Sequence, residues 1–247
     1  MKKFITKILN RFLKKTDYQM FNFNLSIDRP FKEQQLRDIL YSLIKKEHHE
    51  NFFFIQIGAN DGISFDPINS LIIEFDLTGL CLEPIKEYYN QLVSTYKETK
   101  KVTCLNLAIH PIKKIIDLYK VDSEHLKNLP DWSKGIASLN ADHHKLSGTP
   151  SESIKKETVD AISFKELIQN NNIKSLDLLS IDTEGFDLDI IQTIDFENIS
   201  PIIIVFEHLA EYQNIKQALF NQTITTLSTQ GYLIYLGTPN IIAYKAC

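Results

Sequence analysis

The sequence predicts an α/β fold: a doubly wound, mostly parallel sheet with helices on both faces. Three observations lead there. From residue 51 onward, short apolar runs alternate with amphipathic segments of helix length, the pattern of strand–helix–strand units. The densest runs, NFFFIQIG and PIIIVF, are apolar throughout rather than alternating, as strands covered on both faces require. The last two runs, Gly231–Leu236 and Ile241–Tyr244, are separated only by Gly237-Thr238-Pro239-Asn240. Strands joined so tightly must pair antiparallel.

Taken in order, Asp28-Arg29-Pro30 marks a helix start, and Phe31, Leu36, Ile39, Leu40, Leu43 and Ile44 supply its apolar face over residues 30–48. NFFFIQIG is the first strand. Residues 67–75 read as a helix, GLCLE (Gly79–Glu83) as the second strand, Ile85–Lys97 as a helix and VTCLNLAI (Val102–Ile109) as the third strand. Ile115–Val121 reads as an outer strand and 122–153 as loop-rich. Thr158–Ile162 leads into a helix starting at Ser163, then come a fourth strand (Leu176–Ile181), a helix over Leu188–Ile194, a fifth strand (Pro201–Phe206) and a long helix from Tyr212 to Thr229.

The 247 residues are 43% hydrophobic and 23% charged, which excludes a disorder-dominated chain. A run of about 18 apolar residues, as a membrane span needs, does not occur. The net charge of −4 argues against a nucleic-acid partner. Cys81, Cys104 and Cys247 form no CxxC; they read as small hydrophobes and suit a reducing cytosol.

Charge is unevenly spread. Lys2, Lys3, Lys7, Arg11, Lys14 and Lys15 face no acid within residues 1–15, leaving the remaining chain at −10. Over residues 2–15, Phe4, Ile5, Ile8, Leu9, Phe12 and Leu13 recur at helical spacing. A basic amphipathic helix of this kind suits an anionic membrane surface, and the alternative is packing on the protein's own body or a partner subunit. The domain organisation expected is therefore an N-terminal helical extension over 1–50 and an α/β domain over 51–247, in the cytoplasm or peripherally at the inner face of the membrane.

Ligands of open α/β sheets bind beyond the carboxyl ends of the strands. Those ends carry Gly58-Ala59-Asn60-Asp61-Gly62, Glu83-Pro84, Ala108-Ile109-His110, Asp182-Thr183-Glu184-Gly185 and Glu207-His208. Gly58 and Gly62 allow a sharp turn and a close backbone approach; Asn60 and Asp61 tolerate unusual backbone angles and add polar groups. Glu83, 21 positions after Gly62, is placed to accept ribose hydroxyls. The GxxxG spacing, unlike GxGxxG, suits a nucleoside without a pyrophosphate.

IQIGANDG, CLEP, NLAI, TVDAISFKELI, LDLLSIDTEGFDLDII and IIIVFEH, in this order and spacing, resemble the FkbM family of S-adenosylmethionine-dependent methyltransferases over about residues 52–245. The resemblance implies a class I methyltransferase, Rossmann-like sheet of seven strands with the last antiparallel. It further implies that the loop Gly58, Ala59, Asn60, Asp61, Gly62 lines the methionine portion of S-adenosylmethionine, that Glu83 holds its ribose, and that residues around Ala108 flank the adenine. Two departures stand out: the first-strand acid is Gln56 here, and the acid after Glu-Gly-x is the shorter Asp187.

An acceptor hydroxyl loses a proton during methylation, so a base or metal is expected beside it. His208, beside Glu207, is the leading base candidate. Asp182 and Glu184 are placed to orient acceptor hydroxyls or the cofactor's amino group, or with Glu207 to hold Mg²⁺. His143-His144 read as exposed surface, while Trp132 and Gly135–Ser138 fall where an acceptor lid belongs. The expected activity is O-methylation of a sugar or polysaccharide hydroxyl. The alternatives are another small hydroxylated metabolite as acceptor, or a cofactor-binding but inactive interaction protein.

Overall fold

A computed structural model describes residues 29–208, 213–237 and 239–245. The expected basic helix over 2–15 lies outside the described residues, as does Cys247. The chain opens with α1 (Arg29–Glu47), β1 (Phe53–Ile57), α2 (Asn69–Glu74), β2 (Thr78–Leu82), α3 (Lys86–Thr95) and β3 (Val102–Leu105). There follow β4 (Ala108–Ile109), β5 (Ile115–Val121), β6 (Ala137–Ser138), α4 (His144–Ser147) and β7 (Ile154–Ile162). The remainder is α5 (Phe164–Asn170), β8 (Leu178–Ile181), α6 (Asp187–Ile191), β9 (Ile203–Glu207), α7 (Gln213–Thr229), β10 (Leu233–Leu236) and β11 (Asn240–Tyr244).

The main sheet has seven strands in the order β10-β11-β9-β8-β1-β2-β3. β11 runs antiparallel to both β9 and β10, and the other pairings are parallel. Strand order reverses between β1 and β8, which opens a crevice at their carboxyl ends. Alternate residues of the strands feed two cores. Ile55, Ile57, Leu179, Ile181, Ile204 and Phe206 pack with α5, α6 and α7 on one face. Phe54, Cys81, Leu178 and Ile242 pack with Leu36, Leu40 and Ile44 of α1, Leu71 and Ile72 of α2 and Leu92 of α3 on the other. Each such buried side chain stabilises the fold by about 1.5–3 kcal/mol, so α1 is fastened to the sheet by its own apolar stripe.

The third strand differs from its expected span. VTCLNLAI does not continue as one strand, because Asn106 Nδ2 donates to the carbonyls of Glu83 at 2.9 Å and Pro84 at 2.8 Å. That bond diverts the chain, and β4 leaves the main sheet to pair with β7. A second sheet results, ordered β4-β7-β5-β6. Its backbone is the antiparallel pair β5–β7, with Ile115 opposite Asp160 and Val121 opposite Ile154; the expected outer strand Ile115–Val121 belongs here, not to the main sheet. Ser163 caps α5 with a reciprocal box: its Oγ accepts the Glu166 N–H, and the Glu166 carboxylate accepts the Ser163 N–H at 2.9 Å. Among the described residues no helix is long and apolar enough to cross a membrane.

Candidate active site

The crevice at the strand ends is a cavity of about 780 Å³, within the range of small-molecule sites. Its floor is built first by the turn after β1. The Gly58 and Ala59 N–H groups both donate to the Leu82 carbonyl at 2.9 Å, which folds the chain back over β2. Gly58 has φ +81°, and a Cβ there would lie 1.7 Å from the Asp182 carbonyl oxygen. Asn60 has φ +49°, and its N–H donates to Glu83 Oε2 at 2.9 Å. The second oxygen of Glu83 accepts the Ile85 N–H at 2.7 Å. Burial is the largest influence on Glu83 and raises its pKa to about 7 against those two bonds. Each oxygen keeps a lone pair for a further donor.

Gly58, Ala59, Asn60, Glu83, Ala108 and Asp182 all line the cavity, as expected of cofactor-binding residues; Asp61 and Gly62 do not. Asp61 turns its carboxylate into its own loop, accepting the N–H groups of Ile63 at 2.9 Å and Ser64 at 2.7 Å and the Ser64 hydroxyl at 2.7 Å. Burial works against its charge, but those bonds prevail and hold its pKa low. Gly62 is packed against Leu92, where a Cβ would approach to 2.8 Å. Both residues shape the loop and do not face a ligand.

Below this loop, Gln56 Nε2 donates to Asp66 Oδ2 at 3.0 Å. The other Asp66 oxygen accepts the N–H groups of Ile68 and Asn69, at the start of α2. On the far side of Glu83, Tyr88, Leu107, Ala108, Ile116 and Leu118 form an apolar wall.

The end of β8 gathers the acids. Asp182 is open to the cavity yet ringed by protein, and that crowding, followed by Glu184 and Asp187, pushes its pKa well up. Asp187 is sealed: one oxygen accepts the Thr183 N–H at 2.9 Å and the Thr183 hydroxyl, and the other accepts the Glu207 N–H at 2.8 Å. Burial raises it to about 6 despite these bonds. It therefore ties the ends of β8 and β9 together, a role the sequence reading did not give it. Glu184 and Gly185 both adopt left-handed backbone, with φ +51° and +101°. This turn is clamped from two sides. Ser138 Oγ donates to the Glu184 carbonyl at 2.8 Å. Lys216 Nζ donates to the Gly185 carbonyl at 2.7 Å and to Asp189 at 2.6 Å, from a point where α7 departs from helical geometry.

Two histidines stand elsewhere than expected. His143 is only 5% exposed, and its Nε2 lies 3.0 Å from Glu184 Oε2. His144 is also buried, its Nδ1 2.8 Å from the Ala141 carbonyl. The expectation of an exposed pair is corrected: the turn Asn140–His143 folds inward over the β8 end. His208 is not among the residues lining the cavity, although Glu207 is. Its ring stacks on Phe220 of α7 with centroids 3.9 Å apart, and burial lowers its pKa. Aromatic packing has drawn the leading base candidate away from the crevice. Trp132 and Gly135 do line the cavity, where the acceptor lid was expected. Arg37, Gln34 and Gln35 of α1 also line it; no local motif marked them, because the helix pattern shows only which face is apolar. Among the described residues, no group of three or more His, Cys, Asp or Glu side chains is arranged to hold a metal ion, so Asp182, Glu184 and Glu207 do not form the Mg²⁺ site considered from sequence.

The residues present fit S-adenosylmethionine. A buried carboxylate with spare lone pairs (Glu83) borders an apolar wall, as ribose and adenine require together. The buried Asn60 Oδ1 has no hydrogen-bond partner among the described residues, and an ammonium group is a donor suited to it. Sheet order, antiparallel β11 and this crevice define a class I, S-adenosylmethionine-dependent methyltransferase. The methyltransferase FkbM domain matches residues 56–234, and the chain belongs to that family. Among solved structures, it is similar to precorrin-6y C5,15-methyltransferase from Geobacter metallireducens, with 13% identity, 93% of this chain and 99% of that chain covered and a TM-score of 0.42. It is also similar to an O-methyltransferase from Bacillus cereus in complex with SAH, with 9% identity, coverage of 90% and 84% and a TM-score of 0.44. No curated protein matches the chain.

Proposed function

We propose that the chain methylates a hydroxyl group of a sugar or polysaccharide. The observation that carries the reading is the Glu184–His143 pair, a carboxylate on the cavity wall backed by a buried imidazole 3.0 Å away. Bound S-adenosylmethionine supplies an electrophilic methyl group on a sulfonium. An attacking hydroxyl loses its proton, and Glu184 is the residue assigned to take it, with His143 holding the carboxylate in one orientation. Gly135 leaves the approach to Glu184 Oε1 open, since even an added Cβ would stop 3.6 Å short. Asp182 orients the acceptor hydroxyl from the same strand end. Alignment within such a cavity is worth about 7–11 kcal/mol of barrier.

A carbohydrate acceptor is supported by the family resemblance and by the mixture of planar amides and aromatic side chains on the wall, Gln34, Gln35, Asn240, Tyr235 and Trp132. The basic segment 2–15 would bring the enzyme to membrane-borne glycans; flotation with anionic liposomes before and after its deletion tests that. The test of the activity is incubation of the protein with S-adenosylmethionine and hydroxylated acceptors, read by mass spectrometry. A glycan heavier by one methylene, absent with Glu184→Gln, is the expected result. Methylation of non-carbohydrate hydroxyls alone would replace the acceptor class, and cofactor binding with no transfer to any acceptor would point to an inactive interaction protein.

A further inference from the structure

The cavity wall is rich in acids, and among the described residues only two cations, Arg37 and Lys134, line it. Arg37 is committed: its Nε donates to Ser70 Oγ at 2.8 Å, and an Nη lies 3.8 Å from Glu74. Lys134 is not. It is half-buried, and no carboxylate of the described residues comes within ion-pair distance of it. A partly desolvated ammonium without a partner is costly unless a ligand completes it.

Lys134 belongs to the 3-10 turn Asp131–Gly135, held over the crevice by the Ser138 bond to the Glu184 carbonyl. It is close enough to the β1 loop for its charge to help hold Asp61 ionised, although Asp61 spends its oxygens on Ile63 and Ser64. The same loop carries the unpartnered, buried Asn60 Oδ1. One cation and one acceptor without partners among the described side chains, on a single cavity, match a group bearing a carboxylate and an ammonium together.

We propose that Lys134 binds the carboxylate of the amino-acid end of S-adenosylmethionine, with Asn60 Oδ1 taking the ammonium. The assignment rests on the cofactor occupying this cavity. It makes the turn Asp131–Gly135, which lies beside Glu184, part of the cofactor site.

Calorimetry with S-adenosylhomocysteine and its decarboxylated analogue tests this without reference to turnover. Wild-type protein is expected to bind the carboxylate-bearing ligand more tightly, by about tenfold or more, as a charge-assisted bond implies. Lys134→Met should lose that preference, weakening S-adenosylhomocysteine while leaving the analogue unchanged, and Lys134→Arg should keep most of it. If Lys134→Met weakens both ligands alike, or neither, the assignment is wrong. A wild-type protein that binds neither ligand overturns both the assignment and the cofactor reading beneath it. Thermal unfolding confirms that Lys134→Met is folded; Lys134→Gln serves in its place if it is not, with the same outcomes.

Discussion

A cofactor ribose held by Glu83 would make cofactor affinity depend on pH in one direction. Its pKa in the free protein is raised from 4.5 to about 7, with burial the leading cause. The sign follows from linkage. In the unfolded chain the carboxyl ionises near 4.5, so stability from this group is fully present below that pH and is lost as pH rises through about 7. The difference of about 2.5 pH units amounts to about 3 kcal/mol. Ligand hydroxyls bonded to Glu83 favour the ionised form, so binding reverses the trend. The dissociation constant for S-adenosylhomocysteine should fall about tenfold per pH unit as pH rises toward about 7, then level off. Glu83→Gln should weaken binding by roughly 1.5–3 kcal/mol, because a charged acceptor is lost and one backbone N–H now faces an amide N–H₂. It should also remove the Glu83 component of the slope, whereas Asp182 and Asp187, also raised by burial, remain. Isothermal titration between about pH 6 and about pH 8, in buffers of different ionisation enthalpy, reads both affinity and proton release. Wild-type affinity that is flat across that range, or a Glu83→Gln slope equal to the wild-type slope, would refute the reasoning.

Gly58→Ala places a Cβ 1.7 Å from the Asp182 carbonyl at a positive φ, so β1 and β8 must part at the site. A loss of about 3 kcal/mol or more is expected by chemical denaturation, and an unchanged midpoint would show that the turn relaxes freely. His143→Gln should lower kcat by about a hundredfold if it orients the base while sparing S-adenosylhomocysteine affinity. His208→Ala, stacked on Phe220 away from the cavity, should lower kcat far less; the reverse ranking would restore His208 as the base. Lys216→Met removes two bonds to the Glu184–Asp189 turn, which should cost about 1–3 kcal/mol of stability and slow transfer more than it weakens cofactor binding. Matching stability and turnover in the variant would discount the clamp.

The architecture was legible because it follows from patterns with a short range. Apolar runs bounded by glycine and acids show where parallel strands end, and the four-residue connection at Gly237–Asn240 forces the antiparallel β11. The strand ends read in this way bring Gly58, Glu83 and Asp182 to the wall of one cavity. What escaped depends on contacts distant in sequence. Asn106 breaks the third strand through bonds to residues 83 and 84, and within VTCLNLAI it looks like one polar residue in a strand. His143 is buried by a partner 41 positions away, Glu184. His208 follows a strand end, as a catalytic base would, yet its ring direction is decided by Phe220 on α7. Sequence spacing reports which residues arrive at the crevice and not which way they turn once there.

The two departures from the family pattern both bond to the scaffold. An acid at position 56 would place a second carboxylate beside Asp66, where Gln56 now donates at 3.0 Å. Like charges so close cannot both remain ionised. The neutral amide lets Asp66 keep its bonds to the start of α2, which supports the loop Ile63–Pro67 on the cavity wall. Asp187, one methylene shorter than Glu, reaches the N–H groups of Thr183 and Glu207 instead of the cavity. Five carboxyl groups of the described residues line the crevice, Asp66, Glu83, Asp182, Glu184 and Glu207; ionising any of them adds to a negative field suited to a sulfonium cation, which the burial of Asp66, Glu83 and Asp182 opposes. On the proposed reading, Lys134 gives the ligand's carboxylate one favourable orientation in that cavity.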